Sequence, residues 1–94
     1  MLAGRIVYVD RFGNLISNLT PFHVKEVQGK TRRSEVSIRI GGVTINGLVR
    51  SYSQGDPVAP HALINSNGQV EIFVKEGSAA DRLKSGRGEK IEAF

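Results

Sequence analysis

The sequence predicts a mostly β fold: a small antiparallel β-barrel of six or seven short strands with one or two short helices. Three observations carry that reading. Short segments rich in β-branched and aromatic residues recur along the chain, several of them alternate apolar with polar residues, and turns built on glycine and asparagine separate them at close intervals. The 94 residues make one domain, 1–94, with room for a single core and none for a second, cofactor-carrying unit.

Arg5 to Val9 (Arg-Ile-Val-Tyr-Val) reads as the first strand, and Leu15-Ile16 resumes after a Phe-Gly-Asn turn. Thr20-Pro21 sets a capping hydroxyl before a proline at the first helical position, so a helix of a turn or two is expected over Phe22 to Val27. Glu35 to Ile40 alternates strictly, with Val36, Ile38 and Ile40 on one face. Gly41-Gly42 breaks it and Val43 to Val49 resumes, which reads as a hairpin. Ala62–Ile64 and Val70–Val74 flank Asn65-Ser66-Asn67-Gly68, a second hairpin signal. Ser78, with an acid three residues on, starts a short helix to about Lys84, and Lys90 to Phe94 makes the last strand. Ile38, Ile45, Leu63, Ile72 and Ile91 are the expected core.

Composition excludes several classes of function. A hydrophobic fraction of 39% and a charged fraction of 23% describe a globular chain rather than a disordered tail. No apolar run approaches the ~20 residues that span a membrane, and the N-terminal Met-Leu-Ala-Gly-Arg lacks the pattern of a signal peptide. Cysteine is absent, which removes disulfides, thiolate metal sites and a cysteine nucleophile and fits a cytoplasmic location. The net charge of +4 would suit a polyanion, but the positive residues are scattered. They cluster only at Lys30, Arg32 and Arg33 and, more loosely, from Arg82 to Lys90, in stretches that read as turns. His23 and His61 have no ligand-spaced companions, so metal binding is not expected. Neither a Gly-x-Ser-x-Gly elbow nor a phosphate loop occurs.

Three stretches are unusual for a plain barrel. In Asp10-Arg11-Phe12-Gly13-Asn14-Leu15-Ile16-Ser17-Asn18, an acid, a glycine and two asparagines interrupt what would be one strand. In Ala62-Leu63-Ile64-Asn65-Ser66-Asn67-Gly68, an apolar strand delivers short polar groups into a turn. In Val74-Lys75-Glu76-Gly77-Ser78-Ala79-Ala80, a strand runs into a helix N-terminus whose backbone N–H groups suit an acceptor. Each alone is accounted for by an Asx turn, a hairpin or a helix cap.

Together, in this order and spacing, the three resemble the C-terminal domain of the S-adenosylmethionine (SAM) hydroxide adenosyltransferases and their fluorinase and chlorinase relatives. The likeness runs from Ile6 to Glu92. It implies a homotrimeric enzyme in which a larger N-terminal α/β domain meets the barrel of a neighbouring subunit, with SAM in the seam. The ligand is a substrate, and no metal or further cofactor is implied. A nucleophile attacks C5′ of the ribose and L-methionine leaves; in the hydroxide branch the product is adenosine.

The resemblance also implies roles for residues. Asp10 matches the acid that meets the methionine ammonium, and Ser66 a residue that holds the methionine end. Asn14 matches an asparagine bonded to adenine, and Tyr52 falls where an aromatic ring lies against it. Val74 and Glu76 stand where the backbone reads the adenine edge. Asn67 replaces the arginine of the halogenases, which favours the hydroxide branch. The N-terminal α/β domain is missing from this chain and would have to act in cis or in trans, so the isolated barrel is expected to be a SAM-binding half-site without turnover. Two other readings stay open: a catalytically silent adenosine- or SAM-binding module, and a basic OB-like nucleic-acid barrel. The latter is disfavoured because aromatics and Lys/Arg do not interleave along one face.

Overall fold

Gly41 and Gly42 both adopt positive φ, 56° and 76°, the backbone of a tight primed turn, and this folds the alternating segment on each side of them into a hairpin. In the computed structural model, which describes residues 2–32 and 34–94, that hairpin is β3 (Ser37–Ile40) and β4 (Val43–Asn46). It joins β1 (Leu2–Val9), β2 (Leu15–Ser17), β5 (Pro60–Ile64), β6 (Val70–Val74) and β7 (Lys90–Ala93) in one seven-stranded antiparallel sheet of order β4-β3-β7-β1-β2-β6-β5. The outer strands approach each other where the Val49 N–H donates to the Ala62 carbonyl at 2.9 Å, so the sheet curls into a nearly closed barrel.

β1 makes the corner. Its first half, Leu2 to Arg5, pairs with β7, and its second half pairs with β2 across a bulge between Ile6 and Tyr8. Such a bulge lets one strand serve two differently directed halves of a sheet. Ile38, Ile45, Ile72 and Ile91 are buried in the barrel core, together with Ile6, Leu15, Ile40 and Val70. Leu63, also expected in the core, is buried on the other face: it stands directly across from Glu71, so it lies on the outer side of the sheet, and Ala62 points inward beside Ile72.

The helices depart from expectation in length. α1 runs over Pro21–Thr31, well past Val27, because Val24 and Val27 bury against the barrel and the Thr31 hydroxyl donates to the Val27 carbonyl at 2.9 Å. Gly29 in its last turn is what hid this extension from the sequence. Lys30 is therefore helical and Arg32 is the left-handed C-cap, at φ 57°, so this basic pair decorates a helix C-terminus, where the dipole favours it. Arg33, the third member of that cluster, lies outside the described residues. α2 spans Ala79–Leu83, capped by Ser78, whose hydroxyl accepts from the Asp81 N–H.

β6 matters most for function. All five of its residues are buried, although alternation would send Glu71 and Phe73 outward. What covers that outer face is the irregular segment between β4 and β5 and the turn between β1 and β2.

Candidate functional site

The β1–β2 turn is organised by one carboxylate. Asp10 Oδ1 accepts from the N–H groups of Phe12 and Asn14, both at 2.9 Å. The Asp10 N–H donates to the Asn14 carbonyl, and the Gly13 N–H donates to the Asp10 carbonyl. The first stretch is thus an Asx-type turn, and its geometry aims Asn14 inward. Gly13 sits at φ +83°, and a Cβ there would collide with the Ser78 side chain. Its carbonyl accepts from the Ala80 N–H at 2.9 Å, which ties the turn to the start of α2.

Glu71 joins this turn to two other parts of the chain. Its side chain lies on the outer face of β6 yet is buried, with only 4% of the residue exposed. Oε2 accepts from Asn14 Nδ2 and from the Tyr52 hydroxyl, and Oε1 accepts from Asn65 Nδ2, each at 2.9 Å. Asn65 is itself fixed, because its Oδ1 accepts from the backbone N–H groups of Asn67 and Gln69. One buried carboxylate therefore gathers donors from the 10–14 turn, the 47–59 segment and the β5–β6 hairpin.

Above this network lies an open cavity of about 460 Å³ lined by Asp10, Phe12, Asn14, Tyr52, Phe73, Val74, Lys75 and Gly77. Phe73 is its buried floor and packs edge-on against Tyr52, with ring centroids 5.1 Å apart, and lies 5.7 Å from the His61 ring in a tilted arrangement. Tyr52 and Phe12 present aromatic surface to solvent at the rim, and the Arg11 guanidinium stands 5.0 Å from the Phe12 ring centre. Burial of the phenol end, the hydrogen bond to Glu71 and the negative charges of Glu71 and Asp10 push the Tyr52 pKa up to about 12. Tyr52 therefore keeps its proton well into the alkaline range and donates it to Glu71. The Lys75 ammonium is held at the rim by the Ser53 carbonyl.

The structure brings Asp10, Asn14, Tyr52 and Val74 to this one cavity and leaves the other sequence-nominated residues outside its lining. Ser66 and Asn67 are exposed at the tip of the β5–β6 hairpin, at the other end of β6 from Val74, and reach the cavity only through Asn65 and Glu71. Glu76 is exposed, and its N–H already donates to the Pro57 carbonyl. Val74 differs: the Val70 N–H points toward β2, to the Leu19 carbonyl, so alternation turns the Val74 N–H and carbonyl the same way, beyond the Leu15–Ile72 pair that ends the β2–β6 pairing. The α2 N-terminus is not a vacant acceptor site, because the Ala80 and Asp81 N–H groups are taken by Gly13 and Ser78. Sequence reasoning missed Glu71, Phe12 and Phe73. A lone acid inside the otherwise apolar Val-Glu-Ile-Phe-Val was the available signal for Glu71.

Both histidines have local partners: His23 Nδ1 accepts from the Thr20 N–H, and His61 Nε2 lies 2.9 Å from the Asp56 carbonyl oxygen. Among the described residues no three His, Asp or Glu side chains stand close enough to hold a metal ion, and no helix is long and apolar enough to cross a membrane.

A family model described as the SAM hydroxide adenosyltransferase C-terminal domain matches residues 4–92. The chain belongs to the SAM hydroxide adenosyltransferase C-terminal domain family. No curated protein matches it. Among solved structures, the domain is similar to a conserved hypothetical protein from Thermus thermophilus, with 26% identity and a TM-score of 0.74 over 98% of this chain. An uncharacterized conserved protein from Thermotoga maritima, 24% identical, shares the fold with a TM-score of 0.75 over 97% of this chain. The domain spans about a third of each of those chains, 34% and 35%.

Proposed function

We propose that this domain is the SAM-binding half-site of an enzyme that displaces L-methionine from SAM with water or hydroxide. The observation that carries the proposal is the convergence of Asp10, Asn14, Tyr52 and Val74, from three separated stretches, on one open aromatic-floored cavity in a chain of this family. A purine fits beside the Tyr52 ring, with Asn14 and the Val74 backbone offering polar edges. Asp10 uses Oδ1 for its turn, which leaves Oδ2 for the methionine ammonium. Ser66 and Asn67, on the hairpin that Asn65 anchors to Glu71, would meet the methionine end of an extended ligand.

In the proposed reaction the water oxygen bonds to C5′ as the C5′–S bond breaks. The bonding pair leaves with sulfur, which becomes the neutral thioether of methionine, and the proton lost from water passes to a base. The sulfonium is already a good leaving group, so the protein contributes position and exclusion of bulk water. The barrel supplies grip on both ends of the substrate. The family's N-terminal α/β domain, in cis or in trans and within a trimer of cytoplasmic location, would supply the ribose contacts and the base.

The test is reconstitution. The 94-residue chain alone should release no adenosine or methionine from SAM, and joined to an N-terminal α/β domain of the family it should release both in equal amounts. Added chloride or fluoride should yield no halogenated nucleoside. Turnover by the isolated chain would refute the half-site reading, and a joined protein that neither binds nor consumes SAM would refute the assignment of substrate.

A further inference from the structure

A carboxylate buried among side-chain amides has one property that matters for recognition: it accepts hydrogen bonds and donates none. Glu71 receives Asn14 Nδ2 and the Tyr52 hydroxyl on Oε2 and Asn65 Nδ2 on Oε1. The ion pairs among the described residues, Arg39 and Lys90 with Glu92, do not involve it. The side-chain amide of Asn14 can therefore face Glu71 only through its nitrogen, and the Oδ1 branch must point elsewhere. Asn14 lines the cavity.

We propose that Glu71 is a positioning residue for the nucleoside end of this site: by holding the Asn14 amide through Nδ2 it makes Asn14 offer its carbonyl oxygen to the cavity, so that the site selects a purine with a 6-amino group over one with a 6-oxo group. The proposal rests on reading the cavity as an adenosine site and adds what sets its specificity. A 6-amino group donates to Oδ1. A 6-oxo group would place two acceptors face to face in a partly desolvated pocket, a mismatch that costs more than the hydrogen bond gains.

The network also states what one isosteric change would do. In Glu71→Gln, the side chain keeps its size but carries one acceptor and one donor. Asn65 cannot turn round, because its Oδ1 holds the backbone N–H groups of Asn67 and Gln69. It goes on donating from Nδ2, so the glutamine must direct its oxygen to Asn65. The glutamine nitrogen then occupies the place of Oε2, facing Asn14 and Tyr52. Asn14 responds by rotating its amide to bring Oδ1 to that nitrogen, which presents Nδ2 to the cavity. The Tyr52 hydroxyl can rotate to accept. The exchange reverses the polarity of Asn14 without removing an atom that touches ligand. A purely structural role for Glu71 predicts something else: weaker binding of both nucleosides in the same proportion.

The experiment is calorimetric titration of the 94-residue chain and its E71Q variant with adenosine and with inosine, two neutral ligands that sidestep the change in charge. Wild type should prefer adenosine, and the adenosine-to-inosine affinity ratio should fall by about tenfold or more in E71Q, the size of one hydrogen bond exchanged for a mismatch. An unchanged ratio in a folded E71Q would overturn the proposal while leaving the site reading intact. If wild type binds neither nucleoside, the site reading falls and takes the proposal with it. Because E71Q burdens a buried network and could unfold the barrel, a second measurement uses the wild-type chain alone. The Asn14 side-chain N–H resonance should stay protected from water exchange with adenosine bound. Exchange as fast as that of a free amide would show that Asn14 is not held by Glu71, and the proposal would fail.

Discussion

Replacing Asp10 with asparagine separates two jobs that the carboxylate holds at once. Oδ1 accepts the Phe12 and Asn14 N–H groups, each at 2.9 Å, and an asparagine oxygen can take the same pair. The turn, and with it the aim of Asn14 at Glu71, should survive in D10N, because the amide oxygen stays on the two N–H groups. The atom that then replaces Oδ2 is an amide NH2, which donates and cannot accept from the ammonium. The whole charge-assisted hydrogen bond of about 1.5–3 kcal/mol is lost, which should weaken SAM by about tenfold to a hundredfold. Adenosine has no ammonium, so its affinity should not move. Asp10→Ala removes the turn acceptor as well and should weaken both ligands. The assay is calorimetric titration of the protein with its N-terminal α/β half supplied. Equal losses for adenosine and SAM in D10N, or none for either, would refute the assignment of Asp10 to the ammonium.

Two further outcomes follow from the same geometry. The Tyr52 phenol, raised from 10.0 to about 12 in the folded chain, keeps its proton while the unfolded chain loses its own near the ordinary value. Its contribution is therefore complete below pH 10 and lost as pH rises from 10 toward 12. Denaturant midpoints across that window should fall less steeply in Tyr52→Phe, and an identical pH slope in both proteins would contradict the raised Tyr52 pKa, to which burial contributes most and the Glu71 bond next. Gly13→Ala should destabilise by about 2–3 kcal/mol, combining left-handed strain of about 1–2 kcal/mol with damage to the Ser78 cap. Gly68→Ala, at φ +74° with open space around it, should show the strain alone. Thermal melts of the two variants check this, and equal losses would mean that the 10–14 turn does not press on α2.

The barrel was legible because its signals are local. Strict alternation over 36–40 and the Gly41-Gly42 break specify a hairpin within one segment, and the apolar residues they place inward are the ones buried. The extent of α1 was not legible, since Gly29 marks an end that burial of Val24 and Val27 overrides. At the site, Asp10 and Asn14 could be nominated from the motif they share with the family. Glu71 could not be ranked above any other strand acid, because its importance comes from partners 57, 19 and 6 residues away. Burial on both faces of β6 likewise depends on the 47–59 segment folding over it, which no period in the strand announces. Glu76 shows the converse: a position nominated by resemblance whose N–H the fold has already directed to Pro57.

The most direct test of the central claim is a nitrogen-15 NMR titration of the 94-residue chain with SAM. A half-site at this cavity predicts that shifts concentrate on Asp10, Phe12, Asn14, Tyr52, Val74 and Gly77, with smaller ones at Ser66 and Asn67, while the β3–β4 hairpin and α1 stay unmoved. Shifts centred on α1 or on the β3–β4 hairpin, or none at saturating ligand, would contradict it.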